Sequence, residues 1–98
     1  MQNILKFSIR PADIDGDNVL EMPLPDGAQI LSIQYQPWSK LVCMWALVDI
    51  PLKKQEFTKR RFRVVGTGFG FAATSNYKFI STVQFPEEHL VYHFFEIL

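Results

Sequence analysis

Residues 60 to 70 read Arg-Arg-Phe-Arg-Val-Val-Gly-Thr-Gly-Phe-Gly, a basic strand that runs into three glycines spaced two apart. In a strand, Arg61 and Arg63 share one face about 7 Å apart. Two guanidinium groups at that spacing suit two oxygens of one phosphorylated ligand, or two neighbouring phosphates. Gly66, Gly68 and Gly70 let the chain turn and present backbone N–H groups, with the Thr67 hydroxyl, to the same anion. The stretch lacks the lysine and spacing of a P-loop and opens no evident long helix. The competing reading is a tight turn or bulge that needs glycine dihedrals, with the arginines on a solvated strand face.

Other chemistry-bearing residues are less suggestive. Asp13, Asp15 and Asp17 surround Gly16. A calcium loop would place its bidentate acid on Leu24, so a solvated turn is the better reading. His89 and His93 share a face of the last strand, too far apart to chelate one ion. With Glu87, Glu88 and Glu96 they complete no metal shell, and His93 reads as a hydrogen-bonded structural residue. Trp38 sits in a turn beside Lys40 and offers a surface aromatic and basic contact. Cys43 lies inside an apolar strand as a packing thiol. No Ser-His-Asp or paired-carboxylate set is legible, so no catalytic residue is assigned.

The elements that must position these residues follow a period of two. Leu5, Phe7 and Ile9 alternate with Lys6, Ser8 and Arg10 up to Pro11. A turn over 13–18 and a short strand over 19–22 complete an expected hairpin with them. The segment 23–27 reads as the next turn. Leu31, Ile33 and Tyr35 then alternate with Ser32, Gln34 and Gln36. The segments 41–48 and 90–98 are apolar on both faces, which demands cover on both sides. Phe62 and Val64 oppose Arg61, Arg63 and Val65. In the segment 77–85, Tyr77, Phe79, Val83 and Phe85 are in phase. The one helical candidate is short, at 71–76. About seven short strands with turns between them predict an all-β single domain over 1–98, a small antiparallel sandwich or barrel with at most one short helix.

Composition narrows the function classes. Ninety-eight residues make one domain, and 48% of them are hydrophobic. Ten basic residues balance ten acidic ones, which argues against a general nucleic-acid binder. One cysteine excludes an intrachain disulfide. The N-terminus lacks a signal-peptide core and no apolar run reaches spanning length, so we expect no membrane and a cytoplasmic protein. Two strands apolar on both faces, in so small a domain, point to a homo-oligomer.

Four spaced segments add a resemblance: PDGAQILSIQ at 25–34, MWALVD at 44–49, FRVVGTG at 62–68 and STVQ…LVYHFFE from 81 to 96. Together they resemble a family of small uncharacterised domains of bacteriophages and prophages. The matching positions are Gly27, Ala28, Trp45, Asp49, Gly66, Thr67, Gly68, His93 and Phe95. The resemblance implies a phage accessory protein, acting in the host cytoplasm, and no assigned activity. Members of that family often carry histidine after Gly-Thr-Gly, where this chain has Phe69, which argues against an ionisable catalytic group in the loop.

The resulting expectation is a non-enzymatic binding protein with a counter-defence role, without cofactor or metal. It would recognise or sequester a small anionic, nucleotide-type ligand through Arg61, Arg63, Gly66, Thr67, Gly68 and Gly70. The alternative is a protein-interaction module that blocks a host or phage complex through an apolar, aromatic surface.

Overall fold

A computed structural model describes residues 1–52, 56–72 and 75–98. Seven strands form among them: β1 (Gln2–Ile9), β2 (Val19–Pro25), β3 (Gln29–Gln36), β4 (Leu41–Asp49), β5 (Phe57–Gly66), β6 (Tyr77–Phe85) and β7 (Leu90–Ile97). They build two antiparallel sheets, one in the order β1-β4-β3 and the other in the order β2-β5-β7-β6. The inward faces meet in one apolar core. Ile33, Met44, Ala46 and Val48 come from the first sheet, and Leu20, Leu24, Phe62, Val83 and Phe94 from the second. Of the expected sandwich or barrel, the sandwich is present, and among the described residues its one short helix is a 3₁₀ turn at Pro11–Asp13.

Non-local pairing alters the expected order. β1 and β2 form no hairpin, because β2 pairs with β5 and β1 with β4. The connection 10–18 instead carries the chain from one sheet to the other. The segment 23–27 is also mostly strand. Pro23 and Pro25 sit in β2, an edge strand, and being two apart they place both missing N–H groups on one side. Between them Leu24 is fully buried. Only Asp26 and Gly27 turn, with Gly27 at φ +72°.

Two bulges reset the alternation. In β3 the register shifts between Ile30 and Ser32, which leaves Leu31 exposed while Ile33 is fully buried. In β6 the shift lies between Phe79 and Ser81. Tyr77 and Phe79 therefore face outward while Val83 points to the core, so the four aromatic and aliphatic residues of this strand are not in phase. The bulges lie where the sheets join: the Ile33 amide donates to the buried Ser81 hydroxyl at 2.9 Å.

The strands apolar on both faces turn out to be inner strands. β4 lies between β1 and β3, and β7 between β5 and β6. Neighbouring strands shield their outward residues, so Cys43 is fully buried and Trp45 half-buried. Cys43 donates to Gln36 Oε1 at 3.5 Å, as a packing thiol can. The expected helix at 71–76 does not form in its described part: Phe71 and Ala72 are irregular and Ser75 and Asn76 turn, while residues 73–74 lie outside the described residues.

Candidate functional site

Register places several turns at one end of the sandwich. β3 and β4 close there at Gln36 and Leu41, β6 and β7 at Phe85 and Leu90, and β5 ends at Gly66 opposite Tyr92. Tyr35 and Phe85 bridge the sheets with ring centroids 4.9 Å apart. Partial loss of solvent pushes the Tyr35 phenol above its usual value, and Glu87 and Glu88 add to the shift.

The 66–70 loop is a turn with an αL residue. The Phe69 amide donates to the Gly66 carbonyl at 3.2 Å, and Gly68 takes φ +89°. Only glycine adopts that dihedral freely. Gly66 meets a different need: a Cβ there would stand 2.9 Å from the Phe69 ring. Without one, the ring folds back over the turn.

Phe69, Gly66, Gly70, Arg63, Asn18 and Tyr92 line a cleft of about 390 Å³. That volume lies within the range of small-molecule sites. One N–H of Arg63, on Nη1, donates to the Asp17 carbonyl at 2.7 Å. That bond anchors the guanidinium beside the loop. The Asn18 carbonyl accepts from the Val64 amide at 2.9 Å, which ties the loop before β2 to the end of β5.

The expected anion-binding set is thus partly assembled. Arg63, Gly66 and Gly70 come together in the lining. Arg61 projects from the same sheet face two residues earlier, outside the cleft, in register with Glu21 and Ile97. Gly68 serves the turn. Thr67 is engaged elsewhere: its hydroxyl lies 2.7 Å from His93 Nε2 and its amide donates to the Val91 carbonyl. The Thr82 hydroxyl lies 3.0 Å from His93 Nδ1. Both imidazole nitrogens are therefore occupied, which matches the structural role expected of His93. His89 does not share its strand. It occupies the turn before β7 with φ +55°, because four loop residues are needed to close that hairpin.

Trp38 is 81% exposed at the same end, and Lys40 is exposed beside it. Asp15 Oδ1 accepts from the Asp17 and Val19 amides, so the acidic turn is held by its own backbone. No metal-binding cluster of histidine, cysteine and acidic residues occurs among the described residues, and no helix there is long and apolar enough to cross a membrane.

Sequence reasoning missed the rest of the lining: Asn18, Val64, Val65, Phe69, Phe71 and Tyr92. Asn18 had a local signal, since asparagine after Asp-Gly-Asp favours the αL region, and its φ is +60°. Nothing local marks Tyr92. It reaches the cleft only because β7 pairs with β5. Sequence reasoning also missed a buried ion pair at the opposite end. Arg60 Nε and Nη2 donate to the Glu96 carboxylate at 2.6 and 2.8 Å, and Arg60 Nη1 donates to the Ala28 carbonyl.

Residues 1–97 match a family described as a domain of unknown function (DUF7352), and the chain belongs to that family. No curated protein and no solved structure matches it.

Proposed function

We propose that this chain is a non-enzymatic binding module that takes up a small anionic, nucleotide-type ligand in the Arg63 cleft. One observation carries the reading: Arg63, two loop glycines and the rings of Phe69 and Tyr92 line the same cavity. A guanidinium with unspent donors can hold a phosphate in two-point contact. Aromatic rings beside it offer a stacking surface to a base. The nearest imidazole, His93, is held by two threonine hydroxyls, which favours binding over proton transfer. In the phage setting that the sequence resemblance implies, such a module would act in the host cytoplasm and sequester a nucleotide signal of host defence.

The test is thermal melting with a panel of mono-, di- and cyclic nucleotides. A ligand that binds only the native state raises the melting temperature by mass action. Arg63→Glu should remove the rise without unfolding the protein. Arg61→Glu should weaken it, because Arg61 contributes field and not contact. An unmoved melting curve at millimolar nucleotide would end this reading.

A second reading, a protein-interaction surface, has its own observation. Phe71, Tyr77, Phe79 and Phe95 form a ring cluster on the outward side of β6 and β7, with centroids 5.3 to 6.4 Å apart. Phe79 is 54% exposed. An aromatic patch of this kind suits a protein partner or a second copy of the chain. Phe79→Asp should then abolish association measured by light scattering and leave the nucleotide response intact.

A further inference from the structure

A second cleft of about 390 Å³ adjoins the first, at the same end of the sandwich. Ile9, Leu41 and Val42 line it from the first sheet, and Phe85 and Tyr92 from the second. The gap between the sheets thus stays open where the core residues end. Its lining is apolar except for Asn18, Lys40 and the Tyr92 hydroxyl, and Lys40 is its one charged residue. Among the described residues, Lys40 makes no ion pair.

The placement of Lys40 is not dictated by its turn. The four-residue loop 37–40 starts with Pro37 and ends with Lys40 at φ +55°. The Ser39 and Lys40 amides both donate to the Gln36 carbonyl. The loop 86–89 repeats the design, with Pro86 first, His89 last at φ +55°, and leucine next. The turn therefore needs an αL residue and not a lysine, and glycine or asparagine adopts αL at least cost. A lysine held in that conformation, on an otherwise uncharged apolar cleft, is the kind of local conflict that marks a functional position.

We propose that this cleft binds a small amphipathic anion, with an apolar body of medium-chain or single-ring size between the sheets and its anionic head at Lys40. An apolar cavity with one charge selects such a molecule. The body removes apolar surface from water. The ammonium pairs the head and rejects a cationic one. The inference does not require the Arg63 reading, since Arg63 does not line this cleft, although the two clefts share Asn18, Val64 and Tyr92.

Four ten-carbon probes test it by melting of the intact chain: decanoate, decyl phosphate, decanol and decylammonium. Decanoate, decyl phosphate or both should raise the melting temperature by about 6–11 °C at tenfold excess over Kd. Which of the two acts tells a carboxylate head from a phosphate. Decanol should act weakly and decylammonium not at all. Lys40→Glu should reverse the order, so that decylammonium outperforms decanoate. Leu41→Trp should fill the cleft and abolish every response; Leu41 is 42% exposed, so the fold tolerates the change. Arg63→Glu should keep the decanoate response, which separates this site from the nucleotide cleft. Equal shifts from all four probes, or none at millimolar concentration, would overturn the proposal. So would a dimer that persists in decanoate and dissociates on Leu41→Glu, since a second copy would then occupy the cleft.

Discussion

Arg60 and Arg63 lie three residues apart in β5 and do opposite work. Arg60 points inward, towards the end of the sandwich where Ala28 and Glu96 meet it. Its Nε, Nη1 and Nη2 all donate within the protein, and Glu96 is 6% exposed. Arg63 points outward at the other end, spends one N–H on the Asp17 carbonyl and faces a cleft. The closed end satisfies its charges internally. The open end holds Arg63 in place and leaves most of its donors available. An arginine near a glycine loop is therefore informative only once its hydrogen bonds are counted.

The largest effect should come from breaking the closed end. Glu96→Ala leaves a mostly buried guanidinium without its carboxylate and should cost about 3 kcal/mol. For a chain of this size that lowers the melting temperature by more than about 10 °C, as calorimetry would show. A change of one or two degrees would mean that water already reaches Arg60. Replacing both partners, Arg60→Met with Glu96→Leu, should recover most of the loss, because no charge is then stranded.

At the open end, Arg63→Ala should change stability by no more than about 0.5 kcal/mol. It should also cut the nucleotide response at least tenfold in apparent affinity. If instead it destabilised the fold as much as Glu96→Ala, the contrast between the two arginines would collapse. Lys40→Gly should stabilise the protein by about 0.5 kcal/mol, since it relieves an αL lysine while loosening the unfolded chain. Chemical denaturation would show a higher midpoint with an unchanged slope.

The smallest effect concerns acid. The side-chain and backbone hydrogen bonds of Arg10 hold the Asp13 carboxyl below its ordinary value. A depressed folded-state pKa contributes stability above the unfolded pKa and loses it as pH falls through the folded one. Asp13→Asn should therefore change stability near neutral pH slightly and flatten the loss below about pH 4. The pair is solvent-exposed, so Glu96→Ala should exceed it at every pH.

These contrasts follow what was legible. Alternation in 1–10 and 61–65 defines strands and their faces, and it puts Arg61 and Arg63 on one face without any tertiary knowledge. It also made 41–48 and 90–98 stand out as apolar on both sides. Both are inner strands, so their neighbours' side chains shield part of each outer face, and Trp45 and Leu47 keep the rest of the β4 face partly exposed. The aromatic phase of 77–85 misled because an inserted residue at Ile80 reverses every later face. A bulge has no composition signature when its extra residue is isoleucine or leucine. The Arg60–Glu96 pair was invisible for a different reason. Its members are 36 residues apart and meet only through the β5–β7 register.

By itself, then, the sequence determined the all-β class, the turns at Gly27 and Gly68 and the basic face of β5. Those properties rest on local sterics and the two-residue period of an extended chain. Tertiary structure alone decided that β2 joins β5, which arginine is buried, that Thr67 serves His93, and that Arg63 and Lys40 each border a cleft. Those outcomes depend on pairing between distant strands, where the gain from burying apolar faces together outweighs what each segment prefers on its own.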